Sequence, residues 1–326
     1  MMTGTLQTAG ECLSIECELG WVEKHLKQGT AAELHENDAR MPTVRLIVER
    51  SSAPFDVGSA DRVTRGVWQA GGAVVIEDAC SSGFMLHCRP EGGVLLVRAR
   101  WVPPTRTRAA AALLRQRSSM LMRAVLLQYP VLWWSVVHGC APLHVSALNL
   151  GTSVPLLVGP GGVGKSTLVE TELTAGHHAT CDNLAVTDGR LVHGLVEPRR
   201  ILGGTGHRTS HGRREADMPE RVASIQPDRV VAVSLSETSL EAALHPVEAE
   251  VACRSLVTGT YMAGELRRFW PFAAALSSGT GCGPAAPPVQ AMAQRLTEAL
   301  PCFSLTLSRR SGARLEQLLV DSTVGA

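Results

Sequence analysis

One short run, Gly159-Pro160-Gly161-Gly162-Val163-Gly164-Lys165-Ser166-Thr167, constrains this chain more than any other. It fits the pattern G-x-x-x-x-G-K-[ST]. The apolar stretch Val154 to Val158 leads in, and the helix-forming stretch Lys165 to Ala175 leads out, with Gly176 placed to end it. A phosphate-binding loop (P-loop) requires that order of strand, glycine loop and helix. Glycines let successive backbone N–H groups turn toward one point, and the helix's first turn adds the positive end of its dipole. In such a loop Lys165 reaches the β- and γ-phosphates, and the Ser166 hydroxyl ligates Mg²⁺. The chain is therefore expected to bind ATP or GTP with Mg²⁺ within an α/β domain.

The loop sits in a βαβ-like region that begins near Ala141. Leu143 to Leu150, Ala179 to Val186, Val230 to Leu235 and Cys302 to Leu307 read as strands, and Thr187-Asp188-Gly189 reads as a tight turn. Val247 to Val257, Ala263 to Leu276, Pro288 to Leu300 and Gly312 to Val320 read as helices. Upstream, Thr43 to Val48, Gly72 to Glu77, Gly83 to Cys88 and Val94 to Trp101 are short β-like runs bounded by turn residues. The pair Pro103-Pro104 reads as a hinge, followed by a helix from Arg106 to about Tyr129 that Pro130 stops. The expected division is a small N-terminal α+β domain, 1–104, and a P-loop domain, 105–326.

Composition excludes several classes. Lys plus Arg number 31 against 30 Asp plus Glu, so there is no basic excess of the kind that bulk nucleic-acid binding leaves. The nine cysteines form no CxxC pair and no Cys/His finger, which reads as reduced thiols in a cytoplasmic protein. Met1 to Gly10 lacks the apolar core of a signal peptide. Ala124 to Ala141 is apolar but interrupted by Gln128, Tyr129, Pro130, Ser135 and His138, which fits a buried core helix better than a membrane span.

Two flanks of the loop extend the pattern. Leu143-His144-Val145-Ser146-Ala147 precedes it, and Thr180-Cys181-Asp182-Asn183-Leu184 follows about 17 residues after Lys165. This order resembles the HPr serine kinase/phosphorylase family and its relatives with a phosphoenolpyruvate-carboxykinase-like P-loop. There, a strand histidine precedes the loop and an Asp-Asp pair follows its helix. Beyond the loop region, the chain is similar to divergent kinase homologues of bacterial clusters for ribosomally made, modified peptides, including lasso peptides. The resemblance implies an α/β kinase domain and a base, Asp182, that takes the proton from the acceptor hydroxyl. It also implies that His144 lies close to the phosphates, where a protonated imidazole would sense pH or polarise the acceptor. Asn183 stands where the family has its second aspartate, near the metal. A neutral carbonyl oxygen there implies weaker metal affinity, or that Asp182 serves the metal too. Read without the resemblance, Asp182-Asn183 is a turn or cap and His144 a hydrogen-bonded core histidine.

Arg199, Arg200, Arg208, Arg213 and Arg214 are interleaved with His193, His207, His211, Glu197 and Glu215, around the glycine-rich Leu202 to Gly206. A basic, flexible stretch beside a P-loop suits closure over phosphates or grip on an acceptor, with Arg200 and Arg208 as the candidates. The leading function is transfer of the γ-phosphoryl group of ATP to a Ser or Thr hydroxyl of a peptide or protein. A peptide could add as a strand to an exposed edge such as Val94 to Arg100. The alternatives are a small-molecule kinase and a regulatory nucleotide-binding module. Kinases of that family are often oligomeric, so a homo-oligomer enters as an expectation.

Overall fold

The computed structural model of the protein describes residues 1–36, 40–202, 207–208, 213–219, 221–309 and 313–324. Its first hundred residues form β1 (Met2–Thr8), β2 (Glu11–Cys17), helix α1 (Gly20–Gly29), β3 (Val44–Glu49), β4 (Asp61–Thr64), β5 (Val67–Ala70), β6 (Ala73–Ile76), β7 (Phe84–Glu91) and β8 (Val94–Trp101). These strands make one sheet in the order β1-β2-β3-β8-β7-β6-β5-β4. Strand β3 runs parallel to both its neighbours. The sequence reading finds β3, β6, β7 and β8 but not β1. The inward positions of β1 are Met2, Gly4, Leu6 and Thr8, so only two of the four carry an apolar side chain of any size. Strand β8 is bonded on both sides, by β3 and by β7. The expectation that Val94 to Arg100 offers an open edge is therefore wrong; the edges of this sheet are β1 and β4.

The helical region holds α2 (Thr105–Leu113), α3 (Arg115–Arg123), a π-helical turn (Ala124–Gln128) and α4 (Tyr129–Val137). The helix was expected to stop at Pro130, but it continues past it. The π-turn resets the hydrogen-bond register, and Pro130 falls in the first turn of α4, where its missing N–H is not needed. The break lies earlier, at Leu114, whose φ of -114° and ψ of 56° separate α2 from α3. The run Arg115–Val137 is long and apolar enough to cross a membrane, yet 78% of its apolar window is buried inside the protein. Leu132 and Trp133 are buried with residues of β2, β3, β7 and β8 in one core, which also takes in Phe269, Phe272 and Leu276. The boundary expected at Pro103-Pro104 thus falls between the sheet and the helices that complete its core.

The remainder comprises β9 (Ala141–His144), β10 (Ser146–Asn149), β11 (Pro155–Val158), α5 (Lys165–Thr174), β12 (His178–Cys181), β13 (Leu184–Thr187), β14 (Val192–Gly194), β15 (Arg199–Leu202), β16 (His207–Arg208), β17 (Arg213–Ala216), β18 (Ser224–Ile225), β19 (Arg229–Ser236), β20 (Ala243–Pro246), α6 (Ala249–Met262), α7 (Phe269–Thr280), α8 (Val289–Ala299), β21 (Cys302–Ser308) and α9 (Leu315–Val324). A six-stranded sheet, β12-β10-β11-β19-β21-β20, carries helices on both faces. Leu156, Val158 and Val230 pack with α6 and α8 on one face. Leu157, Val231 and Leu305 pack with α5 and α9 on the other. This alternation along doubly covered parallel strands explains why each reads as an unbroken apolar run. A four-stranded sheet, β18-β14-β13-β9, and a three-stranded one, β15-β17-β16, complete a mixed α/β fold.

Two segments expected as single strands are each two. Leu143 to Leu150 divides at Val145 into β9 and β10, and Ala179 to Val186 divides at Asp182-Asn183 into β12 and β13. The divided pairs stay side by side: β10 pairs with β12 in the six-stranded sheet, and β9 pairs with β13 in the four-stranded one. Together they cross from one sheet to the other. Val145 N–H donates to the Asn183 carbonyl at 3.0 Å, and the Ser146 hydroxyl donates to the Asp182 carbonyl at 2.7 Å. An unbroken apolar run carries no mark of such a crossing, because both sheets bury it.

Candidate functional site

The glycine loop leaves β11 and ends in α5. Gly159 has a φ of 134°, and a Cβ there would lie 2.7 Å from the Val233 carbonyl oxygen. Gly164, with a φ of 104°, caps the start of α5. Only glycine meets both demands without strain. Lys165 is 5% exposed. Its ammonium folds over its own loop, donating to the carbonyls of Gly159 at 2.7 Å and Pro160 at 3.0 Å. Burial lowers its pKa to about 8, against the pull of Asp182 and Glu265.

Asp182, at the sheet crossing, is 9% exposed and shares a cavity of about 220 Å³ with the loop, Lys165, Ser166 and His144. Burial raises its pKa, while a hydrogen bond with Ser166 and the charges of Arg199, Arg200 and Lys165 act the other way. Its Oδ1 is buried with no hydrogen-bond partner among the described residues. An orphaned carboxylate oxygen is costly unless something occupies the adjoining space. Asp182, Ser166 and Glu197 line this cavity together, and their hard oxygens are of the kind that suits Mg²⁺.

Asn183 lines the same cavity. Its amide nitrogen donates to Glu197 Oε1 at 2.9 Å, so the carboxylate absent from its own position stands beside it on Glu197. Gln128, from the π-turn, donates to the other oxygen of Glu197 at 3.3 Å. Burial raises the Glu197 pKa to about 7, against the pull of Arg200 and the Asn183 bond.

His144 is brought to the cavity, but not as a cation. Its ring Nδ1 lies 3.2 Å from the Gly259 carbonyl. Burial, and next the charge of Lys165, push its pKa down to about 4, outweighing hydrogen bonds to Gly259 and Asn183. The expected protonated, pH-sensing imidazole is corrected to a neutral one. Gly259 also seats α6 on the loop, since a Cβ on it would meet the Gly159 carbonyl oxygen at 2.6 Å.

The arginines separate by role. Arg200 lines the cavity and pairs with Glu265 at 2.6 Å. Burial opposes ionisation of Glu265, but the Arg200 charge and hydrogen bonds hold its carboxyl below the usual range. Arg199 faces the cavity as well, but its guanidinium is taken up by Glu170 of α5 and the Asp217 carbonyl. Arg208 pairs with Arg214 along the β16–β17 ladder; its side chain, with the stretch 203–206 and His211, lies outside the described residues. Three further charged residues border the cavity to which the sequence assigns no role: Glu197, Arg213 and Glu265. Glu265 was hidden because 263–268, read as the start of a helix, folds as turns before α7 begins at Phe269.

No protein-family profile matches this chain, and no curated protein matches it. Among solved structures, the Hpr(Ser) kinase/phosphatase from Coxiella burnetii overlaps it distantly, with 12% identity and a TM-score of 0.30 over 56% of this chain and 91% of that one. An overlap that loose assigns neither fold nor function.

Proposed function

We propose that the protein is a phosphotransferase that moves the γ-phosphoryl group of ATP to a Ser or Thr hydroxyl of a peptide or protein. The observation that carries this is the meeting of Lys165, Ser166 and an unpartnered Asp182 carboxylate oxygen in one cavity behind a glycine loop. Lys165 and the N–H groups of the loop and of the first turn of α5 would hold the triphosphate and offset its charge. Ser166, Asp182 and Glu197 would hold Mg²⁺, which supplies further charge neutralisation on the phosphates. Asp182 accepts the proton of the acceptor hydroxyl as the acceptor oxygen bonds to the γ-phosphorus. The bond from that phosphorus to its bridging oxygen breaks, and ADP leaves with the electron pair. The charges of Arg199, Arg200 and Lys165 favour the ionised, proton-accepting form of Asp182. Neutral His144 serves as a hydrogen-bonding wall of the cavity.

A peptide acceptor is favoured by the shape of the site. The nucleotide cavity shares Glu197, Arg200 and Glu265 with a second cavity of about 150 Å³, walled by Arg123 and Gln128 and reaching Gly29 of α1. Two cavities on either side of one shared wall offer an extended acceptor more surface than a compact metabolite needs. Candidate peptides incubated with the protein, ATP and Mg²⁺ are to be read by intact-mass analysis. Addition of phosphate at Ser or Thr, lost in Lys165→Ala, is expected. Nucleotide consumption without peptide modification would move the reading to a small-molecule kinase, and no consumption at all would leave a nucleotide-binding regulatory module.

A further inference from the structure

Helices α2 and α3 meet at the kink at Leu114, and the angle between them holds a groove of about 290 Å³. Its lining includes Arg106, Ala110 and Ala111 of α2, Leu114 at the kink, and Arg117 and Leu121 of α3. Both arginines are exposed, and neither has an ion-pair partner among the described residues. Residues 105–123 contain five arginines and no acidic residue. Asp78, beside α2, is engaged by the Thr107 hydroxyl at 2.8 Å and the Gly83 N–H at 2.9 Å. Helix α2 buries only Thr107, and Leu113 at its tip is 83% exposed. Exposed apolar side chains in one groove with two unpaired cations are an unusual surface to leave in water.

One residue, Leu121, stands between the groove and the cavity next to the candidate active site, the one that shares Glu197 and Arg200 with the nucleotide site. We propose that the α2–α3 groove docks an acidic, leucine-bearing segment of the peptide acceptor, with its carboxylates on Arg106 and Arg117 and an apolar side chain on Ala110, Ala111 and Leu114. Charge complementarity selects an anionic partner. A groove, unlike a flat face, selects a chain that fills it over a lipid surface. Its assignment to the acceptor rests on the peptide-kinase reading above; docking itself is measured without nucleotide.

The experiment is fluorescence anisotropy of a labelled peptide in which glutamate and leucine alternate around one serine, titrated with the full chain. Wild type is expected to bind, more weakly as salt is raised. Arg106→Glu with Arg117→Glu is expected to weaken binding by roughly tenfold, while Arg115→Glu, exposed on the same helix but outside the groove, changes it by about twofold or less. Affinity for an ATP analogue and the thermal midpoint should stay at wild-type values in all variants. The proposal fails if wild type does not bind the peptide, or if Arg115→Glu loses as much as the double variant. It fails equally if the arginines instead hold phosphatidylcholine–phosphatidylserine vesicles and the peptide is ignored. A peptide that docks through Arg106 and Arg117 but gains no phosphate leaves the groove standing and removes the kinase reading.

Discussion

Asp182 accepts a proton only if it is ionised when the acceptor arrives, and burial works against that. The Ser166 hydrogen bond and the charges of Arg199, Arg200 and Lys165 oppose that shift. Asp182→Asn is expected to leave affinity for an ATP analogue within a few-fold while phosphoryl transfer falls by about 10²-fold or more, read by single-turnover kinetics. Transfer near the wild-type rate would return Asp182 to the role of a turn residue. Lys165 adds a pH signature. Its pKa of about 8 means that below this value the triphosphate meets an ammonium already formed. Above it, binding must take up a proton, so affinity falls by up to about tenfold per pH unit until the bound-state pKa is reached. Calorimetry above that pH in two buffers of different ionisation heat would show the uptake. At this scale the sequence was informative where chemistry and spacing coincide, as at Lys165, Ser166 and Asp182. Glu197 and Glu265 gave no such signal, because what makes them part of the site is a partner distant in the chain: Asn183 and Gln128 for one, Arg200 for the other.

Elements place these residues through main-chain contacts that leave little trace in side-chain pattern. The apolar runs around Val145 and Asn183 look continuous because each half is buried, although the halves belong to different sheets. Pro130 looked like a helix end because the π-turn before it cannot be read from composition. That same turn aims Gln128 at Glu197, so the irregularity sits where the site needs a side chain redirected. The seat of α6 on the loop is equally silent in sequence, being one backbone touching another. Gly259→Ala places a methyl against the Gly159 carbonyl. It is expected to lower stability by about 1–3 kcal/mol and to weaken binding of an ATP analogue, since the loop must shift. Denaturant titration and calorimetry on the same variant would check both. A variant with unaltered loop affinity would show that α6 yields instead.

Across the whole molecule, the N-terminal helix and the site are joined by a buried polar knot. Glu215 of β17 accepts from Arg123 at 2.5 Å and from Gln28 of α1 at 2.7 Å. Glu215→Ala strands the Arg123 charge and is expected to cost about 3–5 kcal/mol in denaturant unfolding, much of it recovered when Arg123→Met is paired with Glu215→Leu. The first sheet shares its core with α4 and α7, so residues 1–104 expressed alone are expected to lack a cooperative unfolding transition. A sharp transition in that fragment would show an independent domain. The paired sheet crossing also governs how such a chain can drift over generations. Main-chain bonds and the Ser146 hydroxyl hold it, so its other strand residues can be exchanged widely while Asp182 keeps its place. Length is another matter: one residue inserted in β12 would turn Asp182 to the opposite face of its strand, whereas the hairpin at Asn149–Ser153 or the turn at Asp188–Gly189 would absorb it. Descendants that keep the cleft would then be known by their spacing long after their residues had ceased to look alike.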